Sequence, residues 1–456
     1  MSTYTVHEIK NEQLFYIALR FNILITVMNT TMFNVALPAI SGQWLLSPSS
    51  TSWIVTGYSV MFAIGTVTYS RLTDQYPIKY LITIGLSLLG IGSVMGMLAH
   101  NLYLLLAARL IQASGASCVS GVGMVITNRY IPAHRRGEAM GKVASSSTLA
   151  FGLGPLVGGL VVQYWGWSYL FLITLFAFFM LPVYYKQLPS ESRNNQAIDW
   201  VGLMLLSAGV ISLLLVISTK NLYSAIGIIF FFLLWAHIQR IEKPFIHPDL
   251  LRNKRYVCSL FIGFLVFFIN FSVMFLVPLL LASLFHAQSA LIGLIIFPGA
   301  FGSAVASLFI GRWLDRVDST EVIGIGILIM FLSVSLFSSF GYHSMWLILL
   351  FYFLCGIGFA CISAGVPHFL SKLLNKDQFA TAMGLQQLLQ FFGGAFGVAC
   401  TGMILDAGHF GAVNGLWYGS GMNYSNAFLS LQFISLLAGC VLWVQRRAVM
   451  EKNLNL

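Results

Sequence analysis

The sequence predicts an all-α, polytopic membrane protein that crosses the bilayer fourteen times, and three observations predict it. The first is the scarcity of charge: of 456 residues only 24 are Lys or Arg and 14 are Asp or Glu, 8% of the chain, where a soluble chain carries roughly 25%. With 58% hydrophobic residues and a mean hydropathy of +0.84, a water-soluble globule lacks the polar surface it would need. The second is that apolar runs of about 20 residues, the length a helix needs to span a bilayer, recur from end to end. The third is that the basic residues gather in alternate breaks between those runs. Disorder, collagen and a transmembrane barrel are excluded, because the chain has no polar bias, no collagen repeat and no strand-period alternation.

Bounding each apolar run by charge or by Gly, Pro and Asn places the spans, in order, at 14–39, 53–70, 80–99, 102–127, 141–163, 168–185, 200–218, 222–239, 256–285, 290–310, 321–340, 345–367, 380–405 and 425–445. Lys10 sits between Glu8 and Glu12, and the long run that follows carries no A-x-A cleavage site, so the start reads as an uncleaved first helix and not a signal peptide. With the N-terminus inside, the cytoplasmic breaks, together with Lys142 at the cytoplasmic edge of span five, hold twenty-one of the 24 Lys and Arg. Lys220 alone falls in an outer loop, and Arg20 and Arg109 lie within spans. One missed or invented helix would swap every later loop, so this asymmetry also checks the count. It places both termini in the cytoplasm.

The same breaks account for the net charge of +10, which reads as membrane topology and excludes nucleic acid as a partner. The 6 cysteines all lie in apolar runs with no shared spacing, so they read as packing residues; no metal site and no cofactor is expected. No loop is long enough for a soluble catalytic domain, and the 9 histidines are scattered singly. An enzyme is therefore not expected. The partners implied are a small-molecule substrate and the lipid bilayer, with a monomer as the expected state.

Four stretches carry the chemistry. Span one ends in Met28, Asn29, Thr30, Thr31, Met32, Phe33, Asn34, Val35, Ala36, Leu37 and Pro38. The break after span two runs Ser70, Arg71, Leu72, Thr73, Asp74 and then Lys79. It is echoed after span ten by Gly311, Arg312, Leu314, Asp315 and Arg316, each break with Asp three residues after Arg. Such an Asp can pair across to a cation or a helix N-terminus and so act in gating, or simply cap its own helix. Span four carries Arg109 with Gln112 at i+3 on the same face. An intramembrane arginine is costly and usually faces the bundle interior or a wet cavity, the alternative being a purely structural tie between helices. Span five holds Gly152, Gly154, Pro155, Gly158 and Gly159: Pro bends the helix and the glycines admit a neighbouring backbone, for packing alone or for motion.

Together these stretches resemble the loop, arginine and Gly-Pro signatures of the major facilitator superfamily, in its fourteen-spanner drug:proton antiporter branch, and the chain is similar to the Gram-positive tetracycline and multidrug efflux pumps of that branch. The Gly154, Pro155, Gly158 and Gly159 element resembles the antiporter motif that separates exporters from importers. The resemblance implies a six-helix bundle over 1–185, two additional central helices over 186–255 and a second six-helix bundle over 256–456. It also implies export of amphipathic molecules by proton antiport with alternating access, or else a dedicated exporter of one metabolite such as a siderophore or self-made antibiotic. Asn29 stands where that branch usually has Asp.

Proton coupling usually needs a buried carboxylate of raised pKa, yet no acidic residue falls mid-span. Asp74, Asp315 and Asp406 are the nearest candidates. The membrane-depth polar residues expected to bind substrate or couple its movement are Arg20, Asn29, Asn34, Arg109, Gln112, Asn270, Gln386, Gln387 and Gln390. Arg20 can instead snorkel to the surface, and the amides can instead hold helices together. Two arginines without a buried acid favour a ligand that carries negative charge.

Overall fold

The computed structural model describes residues 11–130, 136–189, 191, 199–219, 227–241, 248–374, 376–407, 413–415 and 421–454, and every structural statement below concerns these. The chain forms α1 (Glu12–Trp44), α2 (Pro48–Leu72), α3 (Ile78–Met97), α4 (Leu102–Tyr130), α5 (Arg136–Tyr164), a 3-10 turn (Trp167–Tyr169), α6 (Leu170–Phe178) and α7 (Leu181–Gln187). It continues through α8 (Trp200–Thr219), α9 (Gly227–Ile238), α10 (Pro248–Arg252), α11 (Lys254–Phe285), α12 (Ser289–Leu314), α13 (Ser319–Phe340), α14 (Met345–Leu373), α15 (Lys376–Asp406) and α16 (Met422–Leu454). No strand occurs among the described residues.

Local chemistry sets the helix starts. Side chains of Asn11, Ser47, Asn253, Asp318 and Ser344 each accept a backbone N–H of the first turn of α1, α2, α11, α13 and α14, satisfying donors that the helix itself leaves unpaired. Two sharp reversals follow α1 and α11, where Leu45 and His286 both adopt left-handed backbone with φ near 49°. The turns occupy matching places in the two halves of the chain, a structural counterpart of the repeated Arg-to-Asp breaks. The sixth span is interrupted between Phe178 and Leu181, where Pro182 opens α7; its ring cannot follow the preceding turn of helix.

Eleven helices are long and apolar enough to cross a membrane. Three further expected spans fall short by that measure. The 25-residue α2 is rich in Ser and Thr, whose hydroxyls Thr51, Ser52, Ser59, Thr66 and Thr68 donate back to carbonyls of their own helix or its cap. The apolar stretches Trp200–Leu215 and Gly227–Ile238 are short.

Helices α1–α7 pack chiefly on one another, led by α3 on α4, α1 on α5 and α2 on α4; α11–α16 do likewise, led by α11 on α15 and α13 on α14. Helix α8, paired with α9, rests on α15 and α2. The halves meet along two seams, α5 on α12 and α2 on α15. Arg71, Lys79, Lys186, Arg252, Arg312, Lys372 and Arg446 lie at one end of the molecule, the basic face, and the α1–α2 and α11–α12 turns lie at the other.

Candidate functional site

Arg109 of α4 is 2% exposed; its direct partners come from α1 and α2 as well as its own helix, and the network around it reaches α3 and α6. Its Nη1 donates to Asn29 Oδ1 of α1 at 3.0 Å and to Gln112 Oε1 at 2.7 Å, so the i, i+3 spacing is realised as a hydrogen bond on one helix face. The guanidinium lies 4.0 Å from the ring centroids of both Phe33 and Tyr58, on α1 and α2. Gln112 Nε2 continues the network to Ser93 Oγ of α3 at 3.1 Å and Thr174 Oγ1 of α6 at 2.8 Å. Asn29 Nδ2 donates to Tyr58 Oη at 3.2 Å. Two charge-assisted hydrogen bonds and two ring faces, each ring worth about 0.5–2 kcal/mol, offset the cost of a cation at this depth. No carboxylate takes part.

Two cavities adjoin this cluster. A narrow one is bordered by Arg109, Tyr58, Thr30, Asn34, Phe151 and Met274, among others. A larger one of about 240 Å³ lies between the halves, walled by Phe151 and Pro155 of α5, Phe267, Asn270 and Met274 of α11, and Tyr352 and Phe359 of α14. Phe151 and Met274 border both. The larger cavity extends along α12 and α14 to Ser307 and Ser363, toward the basic face.

Beyond it, toward the opposite face, both seams are tight. A Cβ at Gly158 would lie 2.8 Å from Met32 of α1, and one at Gly159 would lie 2.5 Å from the Ser289 carbonyl of α12. Gly154 likewise abuts Thr31, and Gly293 of α12 abuts the Pro155 carbonyl. The Gly-Pro element is thus where α1, α5 and α12 meet, at backbone distance. On the second seam, Asp406 Oδ2 at the end of α15 accepts the Ser49 N–H in the first turn of α2 at 3.1 Å, and Thr56 Oγ1 donates to the Ala395 carbonyl at 3.3 Å.

The structure thus brings Asn29, Arg109 and Gln112 together, with Asn34 and Asn270 on the adjoining cavity walls. It does not bring the others to them. Arg20 is exposed on α1, its Nε donating to Ser146 Oγ of α5 at 3.2 Å. Gln386 is 1% exposed between α15 and α11, beside Gly263, and neither of its amide atoms has a partner. Gln390 packs beside the same glycine, and Gln387 is half-buried. Asp74, Asp315 and Arg316 are exposed at the basic face, and Lys79 lies 3.8 Å over the Tyr185 ring of its own half.

Sequence reading missed Phe33, Tyr58, Ser93 and Thr174, since common residue types on separate helices carry no spacing signal. It also missed a buried acid: Asp199 before α8, its side chain 3% exposed, meets His237 Nε2 of α9 at 2.7 Å and accepts the Gly202 N–H at 2.8 Å.

The Major Facilitator Superfamily pattern matches residues 19–243 and 259–455, and the chain belongs to that family. It is 26% identical over 292 residues to the riboflavin transporter RibZ of Clostridioides difficile, a match covering 62% of this chain and 64% of that one. It is 24% identical over 418 residues to the multidrug resistance protein Stp of Mycobacterium tuberculosis, covering 87% of this chain and 76% of that one. Among solved structures it is similar to a bacterial homologue of the human lysosomal transporter Spinster, with TM-score 0.69, 13% identity and coverage of 96% and 97%. It is also similar to a nucleoside transporter, with TM-score 0.62, 14% identity and coverage of 94% and 99%. These likenesses show the fold. The protein is a multi-pass membrane transporter and not an enzyme.

Proposed function

We propose that the protein is a secondary active exporter of amphipathic small molecules in the bacterial plasma membrane. In this reading fourteen spans cross the bilayer with both termini in the cytoplasm, and the basic face is the cytoplasmic one. Helices of residues 1–185 and 256–456 form two six-helix units, with α8 and α9 between them in the chain. The observation that carries the reading is the arrangement of the seams: α5–α12 and α2–α15 are closed at the outer side of a cavity that reaches toward the basic face. A cavity closed on one side of its polar cluster is what alternating access about a midplane site requires. Exchange of one closure for the other would carry a molecule from the cytoplasm outward.

Coupling to protons is supported by resemblance to antiporters through Gly154, Pro155, Gly158 and Gly159. Asp74, Asp315, Asp406 and the Asp199–His237 pair are the groups that could carry it. A single-metabolite exporter is the second reading, favoured by the narrowness of the space beside Arg109. Everted vesicles energised by respiration test both, with tetracycline, a dye cation and an anionic drug added in turn. The expected result is collapse of the pH gradient by at least one compound, lost in Arg109→Ala. Vesicles that contain the protein and respond to none would overturn proton-coupled multidrug export and leave a dedicated substrate or another coupling ion.

A further inference from the structure

The strongest unexplained feature of the molecule is the free edge of Arg109. Both of its hydrogen bonds leave from Nη1. Nε is buried without an acceptor, and no hydrogen bond uses Nη2 among the described residues. Nε–H and one Nη2–H point the same way along one side of a guanidinium, and that pair is the fork that receives the two oxygens of a carboxylate. The positive charge beside it is uncompensated, for neither adjoining cavity has an acidic or a second basic residue among its described walls. One cation without a second suits a singly charged acid better than a phosphate or a diacid. Beyond Phe151 and Met274, which separate the two spaces, lie the aromatic walls Phe267, Tyr352 and Phe359. Methionine is flexible enough to let one space open into the other.

We propose that the transported molecule is an amphipathic monocarboxylate, its acid group held bidentately on the Nε/Nη2 edge of Arg109 and its apolar body lying in the cavity between the halves. This rests on the exporter reading and specifies its substrate class. The substrate supplies the counter-charge that the chain withholds at Asn29. Cationic amphiphiles, by the same electrostatics, are excluded from the head position.

The test is calorimetric titration of the purified, detergent-solubilised protein with naphthalene-1-acetate and its neutral amide, naphthalene-1-acetamide. Folding of each variant is checked by its thermal unfolding. The wild type is expected to bind the acid at least about tenfold more tightly than the amide, the scale of one charge-assisted hydrogen bond. Arg109→Lys, which keeps the charge and loses the fork, should cut that preference severalfold. Should the lysine variant fail to fold, Asn34→Asp decides the matter, because an isosteric carboxylate on the wall of the narrow cavity should abolish acid binding and spare the amide.

Equal binding of the two probes, binding of neither, or a preference unmoved in both variants would overturn the proposal. The exporter reading fails by a different result: vesicles holding the protein that lower the accumulation of no neutral, cationic or anionic amphiphile. Export confined to neutral or cationic compounds would keep that reading and sink the carboxylate.

Discussion

The two halves of this transporter share a chain path and differ in what they bury. Each begins with a long helix, a left-handed reversal at Leu45 or His286, and a second helix whose end carries an Arg-to-Asp break. In the first half the interior holds a cation, Arg109, in a network running through Asn29, Gln112, Ser93 and Thr174. In the second half no Lys or Arg is buried among the described residues; its inward polar side chains include neutral amides, and the most deeply buried of these, Gln386, has both polar atoms unpartnered. Phe267, Phe359 and Phe391 pack there edge-on or tilted, with centroids 5.2 and 6.2 Å from Phe267. The difference teaches that duplicated architecture does not duplicate chemistry. One half provides a fixed charge and the other an apolar wall, an arrangement that suits a ligand with two unlike ends.

Breaking the charged side should have the largest effect. Arg109→Met removes two charge-assisted hydrogen bonds and leaves the buried amide oxygens of Asn29 and Gln112 without their donor, so export measured in vesicles should fall by about 100-fold. Export within twofold of the wild type would show that the polar cluster is only structural. Next in size is Asn29→Asp, which places the missing counter-charge 3.0 Å from the guanidinium nitrogen. Removing one partner of a buried pair costs roughly 3–5 kcal/mol, so supplying one here should raise stability by a good part of that and shift the unfolding temperature upward. An unchanged or lower unfolding temperature would mean that Arg109 is already compensated.

The comparison is sharpened from the other side by Gln386→Leu. Its amide makes no hydrogen bond, so replacement by an apolar side chain of similar size should stabilise by about 1 kcal/mol; destabilisation of that size would reveal a partner for the amide. Smallest should be Asp406→Asn. It weakens the negative cap on α2, worth about 0.3–1 kcal/mol, and should raise labelling of a reporter thiol at the α2–α15 seam a fewfold at most. A decrease in labelling would reverse the role assigned to that contact.

Much of the fold was legible. Eleven of the fourteen expected spans fall on helices long and apolar enough to cross a membrane, because bilayer-length apolar runs and basic breaks are strong, redundant signals; helix also occurs at the other three, α2, α8 and α9, with residues 222–226 of the last outside the described residues. The interruption at Phe179 and Met180 was not anticipated, although Pro182 is its cause. Arg109 and Gln112 were legible as a pair because helix geometry fixes i, i+3 neighbours. Tyr58 and Phe33 were not, since which aromatic on another helix faces the arginine depends on packing. Arg20 shows the same limit: the sequence places it in a span, and only the packing shows it exposed and turned to Ser146. Asp199 stands just before the span expected at 200–218, but its burial against His237 depends on how α8 meets α9.

The most direct test of the account is to tie the α2–α15 seam shut. A Cβ at Gly402 would lie 3.0 Å from Ser52 Cβ, close enough for a disulfide between Ser52→Cys and Gly402→Cys with slight relaxation. With single-cysteine controls to account for the native thiols, the oxidised protein should stop exporting, and reduction should restore the rate. Export by fully cross-linked protein at the rate of the reduced form would contradict alternating access through this seam.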